Sequence, residues 1–230
     1  SLHPLARALA ANGVMVYAPD IRGHGDTGRR GDVDFVGQPE QDVARLLREA
    51  KSRHPAARLT LAGFSLGGGL ALRVAGGRDG AIADRTLLLA PMLGPRAPTA
   101  RGGDDPWARP HLPRIIALSI LNRLGVGAFD HLEAIAYAVP TGSERTQTGR
   151  YSWRLLRSLM PADYAADLAA APRPVHVLVG ADDQLFHADR YAPAVRAARP
   201  DARVDIVPGV DHIGLTLTPA GHAAIAAALR

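Results

Sequence analysis

Five short apolar runs, separated by stretches of helical spacing, do most to restrict how this chain folds. They are Val14–Ala18, Arg58–Ala62, Thr86–Ala90, Pro174–Val179 and Val204–Val207. Strands of this kind alternating with helices predict a parallel sheet covered by helices on both faces, an α/β architecture. The intervening helices carry their own punctuation. Leu2, Leu5, Ala6 and Leu9 share one helical face that stops at Asn12-Gly13. Pro39, Glu40 and Asp42 open a helix whose apolar face is Val43, Leu46, Leu47 and Ala50. Small residues from about Leu66 to Ala75 predict another, and so does Tyr191–Ala198. Thr218 with Pro219 starts a last helix that turns Ile225 and Leu229 inward.

The rhythm breaks once. Roughly 80 residues separate the third and fourth runs, where a usual connection has about 4–6. The expected division is therefore a core of residues 1–91 and 173–230, with 92–172 inserted as a mainly helical cap. Helical patterns at Ile115–Leu124 and Trp153–Leu159 fall in the insertion, as do both tryptophans, Trp107 and Trp153. Such a cap is expected over the carboxyl ends of the strands, where ligands bind in sheets of this type.

Composition narrows the chemistry. The net charge of +5 is almost all arginine, Lys51 being the only lysine, and the charge is scattered without a basic block or aromatic platform. No nucleic-acid partner is expected. The absence of cysteine removes disulfides, thiolate catalysis and cysteine metal sites. No His/Asp/Glu grouping has metal-ligand spacing, so neither metal nor cofactor is expected. Ile115–Val139, the most apolar stretch, is interrupted by Arg123, Asp130 and Glu133 and cannot span a bilayer. The cytoplasm is the expected compartment.

Gly63-Phe64-Ser65-Leu66-Gly67 is a G-x-S-x-G sequence placed after a strand and before a helix. So sharp a turn strains the serine backbone and calls for glycine two positions to either side. It lifts the Ser65 hydroxyl above the sheet and aims the Leu66 N–H, at a helix start, toward a forming oxyanion. Serine is a weak nucleophile and needs a base held by a carboxylate. In this arrangement the acid and then the histidine follow later in the chain. Asp182 or Asp183 comes after the fourth run and His212 after the fifth, so both reach the edge that carries Ser65. Of nine histidines, His212 alone lies in a Gly-x-x-His turn before the terminal helix. His176 in mid-strand and His24 in the loop Arg22–Gly28 suit structural roles. His3, His54, His111, His131, His187 and His222 suit the surface, as does Asp211.

Taken together, Tyr17-Ala18-Pro19-Asp20-Ile21-Arg22-Gly23-His24-Gly25, the Ser65 elbow, Gly180-Ala181-Asp182-Asp183 and Gly209-Val210-Asp211-His212 resemble the α/β-hydrolase superfamily. Within it the pattern is similar to the serine aminopeptidase and monoacylglycerol lipase branch, often called lysophospholipase-like. The Gly180-x-x-Asp183 spacing is the family's, which favours Asp183 over Asp182. The resemblance implies hydrolysis of a carboxylic ester through an acyl-enzyme, with Ser65 attacking, His212 moving the proton and Leu66 N–H giving half the oxyanion hole. A medium or long acyl ester is the expected substrate. The cap's apolar segment, Ile115–Leu124, is expected to pack as a helix on the body, the alternative being a lid that lines an acyl-chain pocket or touches a membrane surface. The alternatives are acyl transfer, amide or thioester cleavage, and a non-catalytic binding protein. One departure matters: the family's early strands and its His-Gly-x-Gly loop, source of the second oxyanion N–H, are not found before the first helix. The expectation is that the sequence is an N-terminally incomplete copy of the working protein.

Overall fold

The computed structural model describes residues 2–101, 108–139 and 147–230, so Trp107 and the stretches 102–107 and 140–146 of the expected cap lie outside it. In chain order the elements are α1 (His3–Ala10), α2 (Gln38–Arg53), β1 (Thr60–Phe64), α3 (Leu66–Gly76), β2 (Arg85–Leu89), β3 (Ala108–Pro110), α4 (Leu112–Arg123) and β4 (Glu133–Tyr137). Then follow β5 (Arg150–Ser152), α5 (Trp153–Leu159), α6 (Tyr164–Ala170), β6 (Val175–Gly180), α7 (Tyr191–Ala198), β7 (Arg203–Val207), α8 (Gly214–Leu217) and α9 (Pro219–Ala228).

Two compact units emerge. The first comprises Ser1–Ala18, Val43–Arg101 and Met160–Arg230; the second, Pro19–Asp42 and Gly102–Leu159. In the first unit the strands form one sheet in the order β1-β2-β6-β7, every pair parallel. Registers of Phe64 with Leu89, Leu89 with Leu178 and Gly180 with Val207 bring the carboxyl ends of all four strands to one edge. Leu87 and Leu89 of β2, two apart and so on one face, join Leu178, Leu5 and Leu9 of α1 and Ile225 of α9 in a buried cluster. Helix α3 packs against β1 and β2, with α6 behind it. Thr218 caps α9 as expected, its Oγ1 accepting from Gly221 N at 3.1 Å. At the other end of that helix the Arg85 guanidinium donates to the carbonyls of Ala228 and Leu229.

The sequence expectation fails at Val14–Ala18, which forms no strand. A strand exists only where a neighbour completes its ladder, and none of the described strands pairs with this segment. Met15 is 65% exposed.

The second unit holds a feature the sequence did not disclose, an antiparallel sheet in the order β3-β4-β5. The loop of residues 19–42 is fastened to it from within the unit. Ser152 N donates to Gly31 O at 2.8 Å, and Arg154 grips both oxygens of the buried Asp32 at 2.7 and 2.6 Å. His24 Nδ1 faces Ile21 O at 3.2 Å, so this nitrogen carries the proton and Nε2 accepts from Tyr151 Oη at 2.6 Å. Burial holds His24 below its ordinary range, in keeping with a neutral ring. His24 is structural, as its loop position suggested.

Candidate active site

Ser65 joins β1 to α3 with φ 54° and ψ −119°, one of two non-glycine residues among those described at positive φ. Serine at a helix start normally turns its hydroxyl onto the first N–H groups. Here it makes no such cap, which leaves the oxygen available for chemistry. Gly63 is required: a Cβ there would overlap the Gly67 carbonyl and crowd Ala71 Cβ. Gly67 differs from expectation, because a Cβ there meets nothing within 4 Å. Only one of the two glycines is demanded by space. Leu66 opens α3, where a helix leaves its N–H groups unpaired and the dipole positive.

The acid and the base meet as the order of residues implied. Asp183 Oδ2 accepts from His212 Nδ1 at 2.8 Å, and neither side chain has more than 3% exposure. Oδ1 of the same carboxylate accepts from the amides of Leu185 and Phe186, each at 2.8 Å. A carboxylate only accepts, so Nδ1 bears a proton, and in the neutral ring the lone pair is then on Nε2. That is the tautomer a general base needs. Asp182 is exposed, and Asp211 caps the short α8 by accepting from Gly214 N at 2.6 Å. Neither carboxylate is the imidazole's partner.

Two glycine turns bring this pair together. A Cβ at Gly180 would overlap the Val210 carbonyl, so glycine lets the acid turn and the histidine turn lie backbone to backbone. Arg101 secures the acid turn from outside, its Nη2 donating to Asp183 O at 3.0 Å and its Nε to Phe186 O at 3.1 Å. The His212 ring lies between Phe64 and Phe186, with centroid separations of 4.8 and 5.2 Å. Phe64 precedes Ser65, so the base stands beside the elbow. Among the described residues no hydrogen bond yet joins Ser65 Oγ to His212. Catalytic bonds of this kind often tighten only with substrate present.

Other candidates resolve into supporting roles. Ser152 is buried but committed, its Oγ accepting from Leu155 N at 3.1 Å and bonding Asp32. His176 bonds Asp205 across β6 and β7 at 2.9 Å, and burial holds it below its ordinary range. His222, expected on the surface, is half-buried and bonds Thr216 O at 2.8 Å. No group of three or more His, Asp or Glu able to hold a metal occurs among the described residues. None of their helices is long and apolar enough to cross a membrane. The sequence missed Arg101, Gln184, whose Oε1 accepts from His212 N at 3.2 Å, and Tyr191, which belong to no motif.

Comparison with known proteins returns one family and a set of solved structures. The family model described as serine aminopeptidase, S33, matches residues 1–216. A search of curated proteins finds no match. Among solved structures, the monoacylglycerol lipase of Paleococcus ferrophilus is 21% identical with a TM-score of 0.65, over 98% of this chain and 86% of that one. A bromoperoxidase from Bacillus anthracis is 18% identical with a TM-score of 0.64, over 99% and 86%. A carboxylesterase structure from Nitrososphaera gargenis is 16% identical with a TM-score of 0.56, over 99% and 84%. At these identities the likeness is one of fold.

Proposed function

Because the chain belongs to the serine aminopeptidase S33 family of α/β-hydrolases, serine hydrolases that cleave ester or amide bonds, we propose that Ser65, His212 and Asp183 form its catalytic triad and that its substrate is a carboxylic ester. The observation that carries this reading is the buried 2.8 Å bond from His212 to Asp183, beside a strained serine whose hydroxyl caps nothing. In the reaction, Ser65 Oγ forms a bond to the ester carbon while its proton passes to His212 Nε2. The Leu66 N–H stabilises the oxyanion. The ester C–O bond then breaks and the leaving alcohol takes the proton from His212. Water attacks the acyl-enzyme by the same route, and acid and free serine result. Asp183 holds the imidazole in orientation and stabilises its charged form.

A medium or long acyl chain, as in a monoacylglycerol or lysophospholipid, is the substrate class that fits. Helix α4 supports it: Leu112, Ile116, Ile120 and Leu124 recur four apart along one exposed face. A side chain at every fourth position makes an apolar stripe suited to acyl chains or a lipid surface. Residues 92–172 serve as the cap in this reading, and the cytoplasm as the compartment.

A fluorophosphonate probe tests the assignment. Wild-type protein is expected to label, Ser65→Ala not to label, and His212→Ala to lose turnover by about three orders of magnitude or more while still folding. Equal labelling of Ser65→Ala would remove Ser65 from the mechanism. p-Nitrophenyl esters of increasing length test the substrate class: kcat/KM rising beyond short chains supports it, and a maximum at acetate overturns it.

A further inference from the structure

Ser65 and His212 are carried by different strands, and no hydrogen bond between them fixes their separation. The sheet holds the two strands in register, and at the turns beyond it Tyr191 links the two scaffolds. It is the first residue of α7, it is completely enclosed, and its hydroxyl donates to Pro91 O at 2.8 Å. Two lines of contact leave this ring. The first runs along the backbone to the nucleophile: Pro91 sits between Ala90, held at φ 40°, and Met92, whose N–H donates to Ser65 O at 2.9 Å. A Cβ on Gly68, in the first turn of α3, would collide with Pro91, so the 90–92 turn lies directly against the start of the elbow helix. The second line runs through side chains to the base. Phe186 meets Tyr191 edge-on at 6.3 Å and His212 edge-on at 5.2 Å, and its amide donates to the Asp183 carboxylate.

We propose that Tyr191 is a positioning residue, which holds the Ala90–Met92 turn and with it the Ser65 elbow against the Asp183–His212 pair. Ala90 is the second non-glycine residue at positive φ and is wholly buried. Such a conformation persists only where surrounding contacts over-determine it. The Tyr191 hydroxyl reaches this turn from a side chain and also bonds Thr99; burial together with the nearby Asp183 charge keeps the phenol protonated as a donor. With the bond removed, the turn can relax and the Ser65 carbonyl can follow Met92. Displacements of about 1 Å are enough to cost a reaction roughly a hundredfold.

This inference rests on the triad assigned above, and the experiment separates the two. Tyr191→Phe keeps the ring and its contacts and removes only the hydroxyl. Its fluorophosphonate labelling rate and its kcat on a p-nitrophenyl ester are expected to fall together by about ten- to a hundredfold, with KM unchanged. A tyrosine that merely fills the core would instead lower Tm and leave kcat per folded molecule intact, and that result overturns the proposal. If Tyr191→Phe does not fold, Ala90→Gly loosens the same turn while relieving its strain. A fall in its kcat at preserved Tm supports the proposal, and unchanged kcat overturns it. Wild-type protein that does not label at all overturns both the triad and this role. Normal labelling of wild type and variant alike overturns only the role of Tyr191.

Discussion

Asp183 commits both carboxylate oxygens to fixed donors, and that fixes the histidine tautomer from below. The elbow is fixed as firmly, but unevenly. Gly63 faces the backbone of its own turn, whereas Gly67 faces open space. The two glycines of one motif should therefore respond differently. Gly63→Ala is expected to destabilise the protein by about 1–3 kcal/mol, the cost of overpacking, and to abolish labelling of Ser65. Gly67→Ala is expected to stay within about 0.5 kcal/mol of wild type. Thermal melts alongside labelling decide this, and equal losses in the two variants would contradict the geometry of the turn.

At the scale of elements, one of the fastenings of the loop of residues 19–42 is the Asp32–Arg154 pair, buried at its carboxylate. Burial alone would raise the Asp32 carboxyl, but the hydrogen bonds from Arg154 and Ser152 outweigh it and hold the carboxyl below its ordinary range. A folded value below the unfolded one, about 3.9, means the pair stabilises fully above that pH and its contribution is lost as pH falls through the folded value. Arg154→Met removes the bidentate partner and leaves Ser152 and the exposed Arg29, so it is expected to lose about 1.5–3 kcal/mol at neutral pH and progressively less toward pH 3. Urea titrations at the two pH values check both magnitude and trend. What the sequence could and could not disclose is also decided here. The apolar stretches Leu87–Leu89 of β2 and Val177–Val179 of β6 were legible, as was the G-x-x-D spacing whose resemblance to the family favours Asp183. Val14–Ala18 looks the same locally, yet pairing belongs to a neighbour and not to the segment. β3 and β5, Ala-Arg-Pro and Arg-Tyr-Ser, have no strand signature and exist because β4 lies between them. Tyr191 and Arg101 act through bonds to residues roughly a hundred positions away, which no spacing rule reaches.

For the molecule as a whole, α4 presents the clearest outward-facing chemistry. Leu124 is 74% exposed, and the neighbouring Arg123, in the last turn of α4, is exposed as well. In the lipid-contact reading proposed above, this apolar area with its cation would meet the surface of an anionic bilayer. Ile116→Asp with Ile120→Asp is expected to abolish co-sedimentation with anionic liposomes while hydrolysis of a short soluble ester continues; undiminished co-sedimentation would exclude α4 as the contact. The backbone at Ser65 and Ala90 sets a different kind of limit. Each residue sits where only glycine is at ease, at roughly 1–3 kcal/mol apiece. Selection for heat resistance alone would favour glycine at both positions, erasing the proposed nucleophile at one and loosening its proposed support at the other. A library screened only for survival at high temperature would thus drift toward sturdier proteins with no turnover, so any hardening of this scaffold has to be selected under catalytic demand.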